Sequence, residues 1–270
     1  MYYEIHGNRA KQAPTLVFSA GLGGSANFWQ PQLAAFKNDY RIILYDHSGT
    51  GRSPATLPSP YSIEHMRDEL VSLLTTLAVT SCHFIGHALG GLVGLSLAKH
   101  AEINIQSLIL INAWSAPNPH TLRCFDIRKA ILANCPKTTF LQMQALLLYP
   151  PDWIARHAEQ LTQEELHLAT HFPDKENLLA RIRALSQFDM HAQLPTLDIP
   201  ALVIANKDDM LVPWYCSALL AEALPCASLS LLDYGGHAST VTVANKCNAL
   251  LKAHLDKFHH NDKAPDKELS

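Results

Sequence analysis

A histidine and an aspartate pair, each just past an apolar run, are the groups best suited to moving protons. His237 ends Tyr234-Gly235-Gly236-His237, after the run Ser228–Asp233, and Asp208-Asp209 stand in NKDDMLVP, after Ala201–Asn206. An imidazole backed by a carboxylate is a general base: the carboxylate accepts the Nδ1–H, fixes the tautomer and leaves Nε2 free to take a proton. A third group breaks the expected pattern. Gly86-His87-Ala88-Leu89-Gly90 has the form of a strand–turn–helix elbow, in which small residues two before and two after the centre permit a sharp corner at positive φ. Such a corner presents a nucleophile, yet its centre is Ala88, flanked by His87 and Leu89, and a methyl group attacks nothing. An acyl-enzyme needs an oxygen or sulfur there, so that chemistry is excluded. A base remains, able to deprotonate a water standing where a serine oxygen would have been.

An anion pocket completes the set. Ser19-Ala20-Gly21-Leu22-Gly23-Gly24 follows the apolar run that begins at Thr15. Glycine-rich backbone here can turn the Leu22 N–H toward the elbow, where the Leu89 N–H at the start of a helix is the second donor to a developing oxyanion. His87 is a further candidate for attack, but its side chain is expected to project away from Ala88.

These groups need a frame to hold them. Thr15–Ala20, Arg41–Asp46, Cys82–Gly86, Ser107–Ala113, Ala201–Asn206 and Ser228–Asp233 read as strands whose nearly continuous hydrophobicity fits burial on both faces. Between them, Ile63, Met66, Leu70, Leu73, Leu74 and Leu77 recur at helical spacing behind Ser62 as N-cap, and Leu89–His100 reads as a helix. Alternation of this kind predicts an α/β fold with a mostly parallel sheet, helices on both faces, and the site beyond the carboxyl ends of the strands. The alternation stops between Trp114 and Pro200, too long a span for one crossover. Helical pieces at Thr121–Cys135, Thr138–Leu148, Thr162–Phe172 and Glu176–Asp189 predict a cap inserted over the strand ends. The expected division is a core of residues 1–113 and 200–258, a helical cap of 114–199 and a disordered tail of 259–270.

Bulk properties narrow the class. The 270 residues carry a formal charge of −3 with 48% hydrophobic and 17% charged residues, which suits one ordinary globular unit and gives no basic footprint for nucleic acid or an anionic membrane. No apolar run reaches the roughly 18 residues of a membrane span, and MYYEIHGNRAK lacks the order of a signal peptide, so a cytoplasmic location is expected. The six cysteines are scattered and read as reduced thiols; the fifteen histidines show no metal-binding spacing, so neither a metal nor another cofactor is expected. The expected partner is a small-molecule substrate, and a homodimer is compatible with the chain.

The order elbow, acid, histidine at 88, 209 and 237 resembles that of the α/β-hydrolase superfamily. Asp46-His47-Ser48-Gly49-Thr50-Gly51-Arg52-Ser53 is similar to its D-x-R-G-x-G-x-S loop, with Ser48 where arginine is usual. The resemblance runs from about Thr15 to Phe258 and implies that the acid is Asp209, four residues before Pro213. A narrower resemblance is carried by GLGGS, FWQPQL, YDHSGTG, GHALGGLVG, HTLRCF, LLLYPPDW, DDMLVP and YGGHA. These strings are similar to a group of small hydrolases of pyrimidine (uracil) degradation. That similarity implies that alanine at the elbow is native and that the substrate is a labile C–N compound. Either carbamate goes to ammonia and carbon dioxide, or aminoacrylate goes to malonic semialdehyde. Trp114, Arg123 and Arg183 are the residues expected to meet such a substrate from the cap side. Three readings stay open beside this one: a serine esterase with an engineered alanine at its nucleophile, a ligand-binding pseudohydrolase without catalysis, and a cofactor-free oxygenase built on the same histidine and aspartate.

Overall fold

The computed structural model describes residues 1–100 and 102–259, with the side chain of His259 left out. In chain order the elements are β1 (Tyr3–Gly7), β2 (Thr15–Ser19), α1 (Gln30–Phe36), β3 (Arg41–Tyr45), α2 (Ile63–Thr76), β4 (Ser81–His87), α3 (Leu89–Leu97) and β5 (Asn104–Ile111). Five helices follow without a strand: α4 (Pro119–Asn134), α5 (Lys137–Leu148), α6 (Pro151–Arg156), α7 (Ala158–Thr170) and α8 (Lys175–Gln187). The chain then closes with β6 (Ala201–Asn206), α9 (Trp214–Ala223), β7 (Ala227–Leu232), α10 (Ser239–Thr242) and α11 (Ala244–His259). The tail expected to be disordered lies outside the described residues, apart from His259, which ends α11.

The seven strands form one sheet in the order β1-β3-β2-β4-β5-β6-β7, parallel throughout except for β1, which runs antiparallel along β3. Strand β1 was not expected, because YEIHG at an edge alternates partly exposed and polar residues instead of forming a buried run. The six other strands lie where the apolar runs predict them, within three residues at their starts. Alternate residues feed two cores. Leu16, Phe18, Ile42, Leu44, Ile85, Ile109 and Ile111 pack with Trp29, Phe36, Leu251 and Leu255 on the α1 and α11 side. Val17, Ile43, Phe84, Leu108, Leu110 and Val203 pack on the other face with α2, α3 and the inner side of the helical insertion. Among the described residues no helix is long and apolar enough to cross a membrane.

The chain crosses itself most tightly where β4 turns into α3. Ala88 holds φ 48° and ψ −112°, a conformation rare for a residue with a Cβ. A Cβ on Gly86 would run into the Gly90 carbonyl, and one on Gly90 into the Ser19 carbonyl at the end of β2. Gly91 leaves only 2.8 Å to the Ala113 methyl. The glycines therefore let α3 start directly against the ends of β2 and β5. We predict that Gly90→Ala costs at least about 3 kcal/mol in urea unfolding, because backbone, not a movable side chain, blocks the added methyl. Gly23→Ala, with nothing within 4 Å of its new Cβ, should stay within about 0.5 kcal/mol of the native protein.

Candidate active site

His237 and Asp209 meet at the carboxyl ends of the strands, although 28 residues separate them. The His237 Nδ1 and Asp209 Oδ2 lie 2.8 Å apart. The other carboxylate oxygen of Asp209 accepts the N–H groups of Leu211 at 2.8 Å and Val212 at 2.9 Å. With both oxygens engaged the carboxylate cannot rotate, so Nδ1 carries the proton and Nε2 is left as the base. Asp208 does different work: its two oxygens accept the N–H groups of Gly236 and Gly235, at 2.9 and 3.0 Å, and so tie down the loop that carries His237. The helix after this acid segment starts at Trp214, because the backbone of Leu211 and Val212 is spent on Asp209.

The main chain of His237 is held as firmly as its ring. Its carbonyl accepts from His87 Nε2 and from Asn112 Nδ2, each at 2.7 Å. Asn112 sits at φ 50° just past β5, and its Oδ1 accepts from Asn206 Nδ2 at 3.0 Å, which also donates to Ser239 Oγ. Three neighbouring strand ends thus converge on one carbonyl through buried side chains. The insertion adds its own hold. The Leu148 carbonyl accepts the Ala238 N–H at 2.9 Å, Asp152 accepts from the Tyr234 hydroxyl, and on α4 the Thr121 hydroxyl donates to the Leu211 carbonyl at 3.2 Å.

His87 departs from the expectation that it points away. Its ring lies 4.7 Å from the His237 ring, and Gly21 approaches its Nδ1 so closely that a Cβ there would sit 3.0 Å away. Because Nε2–H is committed to the His237 carbonyl, His87 is a neutral prop; burial pushes its pKa down to about 3, and the neighbouring His237 charge adds to this.

The elbow lies against the glycine loop: a Cβ on Gly21 would stand 3.7 Å from the Ala88 methyl. Leu89 is the first residue of α3, where backbone N–H groups have no intrahelical acceptor. Trp114 is buried behind the elbow, 6.3 Å from Phe125 of α4, with no acceptor for its Nε1 among the described residues. Ala88, Asp209 and His237 are only 5%, 7% and 2% exposed.

Arg123 and Arg183 are exposed, because each falls off the buried stripe of its helix. The buried arginines are Arg128 and Arg181. On α4 the inward residues are Thr121, Cys124, Phe125, Arg128 and Leu132, a spacing of three, four and seven that admits Arg128 and excludes Arg123. Arg181 of α8 donates to the Ser48 carbonyl, in the loop where Ser48 stands in place of the usual arginine. The helical stripe was visible in the sequence; Asn112, a lone polar residue after an apolar run, carried a weaker signal.

A family model described as the α/β hydrolase fold matches residues 14–142. A relative from Stutzerimonas stutzeri (strain A1501), named "Putative carbamate hydrolase RutD", is 53% identical over 94% of this chain and 96% of its own length. The chain belongs to the RutD family of α/β-hydrolases. A RutD relative from Variovorax paradoxus (strain S110) is 47% identical over 93% of this chain and 94% of its own. Among solved structures, an enol-lactonase from Burkholderia xenovorans LB400 shares the fold with a TM-score of 0.85 and 27% identity, covering 94% of this chain and 96% of its own. An acyl-transfer site needs, besides an attacking atom, a histidine–acid pair and main-chain donors at the elbow, and Ala88 offers no attacking atom. If the parts stand in register, Ala88→Ser should be acetylated by p-nitrophenyl acetate on residue 88, seen as one added acetyl group by mass spectrometry. The native protein should remain unmodified there.

Proposed function

We propose that the protein hydrolyses small, intrinsically labile C–N compounds formed in uracil breakdown, without a covalent intermediate. The observation that carries this reading is the buried His237–Asp209 pair, 2.8 Å apart, set beside an elbow whose central side chain is a methyl group. The carbamate in the relatives' name supports carbamate as a substrate, and aminoacrylate needs the same parts.

The proton accounting is simple in both cases. Carbamate must gain a proton on nitrogen, after which the C–N bond breaks and ammonia leaves with carbon dioxide. If His237 first takes a proton from water and the hydroxide adds to carbon, the same products emerge with the carbon dioxide hydrated. The Leu22 and Leu89 N–H groups stabilise the oxyanion of that adduct, and His237 returns its proton to the departing nitrogen. Aminoacrylate gains a proton on the carbon next to its carboxylate and becomes an iminium. Water adds at the other end, ammonia leaves, and malonic semialdehyde remains. Here the imidazolium of His237 is the acid first and the imidazole is the base second. Asp209 supports whichever form is charged.

Magnitudes favour easy substrates. General acid–base assistance is worth about 10²–10⁴ in rate. A site stripped of its nucleophile keeps about 10³–10⁴ over water from the oxyanion pocket and binding, as known for a well-studied serine protease. These factors are too small for an amide and sufficient for compounds that already decay in solution.

The test follows the decay of carbamate and of aminoacrylate, made in place, by ammonia release with purified protein. The native chain should accelerate at least one of them, and His237→Asn should lose about 10²–10⁴ of that acceleration while staying folded. Equal rates for native protein and His237→Asn would reject the reading.

A further inference from the structure

Arg128 is a charged group for which the fold provides no counterpart. It sits on the third turn of α4, 2% exposed, and its Nε has no hydrogen-bond acceptor among the described residues. None of the ion pairs between described residues includes it. A buried guanidinium left in this condition is costly, and native structures tolerate it where a ligand or water completes its bonding. Arg181, the other buried arginine, donates one hydrogen bond to the Ser48 carbonyl but likewise leaves its Nε and Nη1 without acceptors.

The position of Arg128 ties it to the site already described. Seven residues earlier on the same face of α4, Thr121 donates to the Leu211 carbonyl beside Asp209. Three residues earlier, Phe125 meets Trp114, whose Nε1 is also buried without an acceptor. The charge of Arg128 acts on Cys124 and feels that of Asp209, although it bonds to neither. Two unmatched donors, one charged, therefore lie along the inner face of α4 next to the acid segment. Unmatched donors suit a ligand made of acceptors. Burial pulls the Arg128 pKa down to about 10, so the group still carries its charge at neutral pH.

We propose that Arg128, assisted by the Trp114 N–H, anchors the carboxylate-type oxygens of a small monoanionic substrate and so selects anions over neutral amides and esters. The anchor rests on the reading of this site as one for small C–N substrates and narrows it: the substrate carries its negative charge into the pocket and turns its C–N end toward His237. Arg128 is a binding residue in this scheme and takes no proton.

Binding can be measured apart from turnover. The probes are propionate and the neutral isostere propionamide, titrated into full-length His237→Asn protein by calorimetry, with thermal melts alongside. Propionate should bind and raise the melting temperature, and propionamide should do neither. Adding Arg128→Met should weaken propionate at least about tenfold, the loss expected for one charged hydrogen-bonding partner. Arg128→Lys should retain part of the affinity. If Arg128→Met does not fold, Arg128→Gln against Arg128→Lys gives the same contrast at nearly constant volume. Propionate binding unaffected by loss of the charge, no propionate binding at all, or equal binding of propionamide would each overturn the proposal. The two readings fail separately. Arg128-dependent binding without accelerated decay removes the reaction and leaves the anchor; accelerated decay without such binding does the reverse.

Discussion

The close approach of three backbones at the elbow is the constraint on which the site depends. Gly90 lies so near the Ser19 carbonyl, and Gly86 so near the Gly90 carbonyl, that no side chain fits at either place. That contact fixes the first turn of α3 against the loop after β2. It accompanies the positive φ of Ala88, whose methyl would stand 3.7 Å from a Cβ on Gly21. A strained non-glycine residue persists only when its surroundings over-determine it. Here the strain is maintained although the residue has no reactive atom.

A second constraint is the fixing of His237. Asp209 is locked by the N–H groups of Leu211 and Val212, and the His237 carbonyl by His87 and Asn112. General-base catalysis on a water gains little from an imidazole free to turn, because the water itself is bound weakly. Covalent enzymes obtain much of their precision from the nucleophile's own bond to the chain. In the proposed reaction that precision resides in the histidine, whose main chain is held by His87 of β4 and Asn112 after β5, with Asn206 of β6 bonding Asn112. The insertion contributes through Leu148 and Thr121, so the helices above the sheet help to build the site as well as cover it.

The sheet was legible because six strands are buried runs with little polar interruption, and the elbow because glycine spacing is dictated by sterics. Choosing Asp209 over Asp208 rested on its distance from Pro213; the fold uses both, one for the ring and one for its loop. Strand β1 escaped notice because an edge strand has no buried run, and α6 because six residues contain too little periodicity. Arg123 and Arg183 are exposed because direction on a helix is set by phase, and on α4 the phase of Thr121, Cys124 and Phe125 turns Arg128 inward. The network through Asn112 and Asn206 joins residues 94 apart, and no local pattern reveals such a pairing.

The central claim is that room beside the residue 88 side chain, under His237, is where the reacting water acts. Substituting that residue tests it without touching the base or its acid. The measurement is carbamate and aminoacrylate decay with Ala88→Leu, compared with native protein and Ala88→Gly, each verified as folded by circular dichroism. The account predicts that Ala88→Gly keeps the acceleration and that Ala88→Leu falls to the rate without enzyme. A folded Ala88→Leu protein as fast as the native one would contradict it.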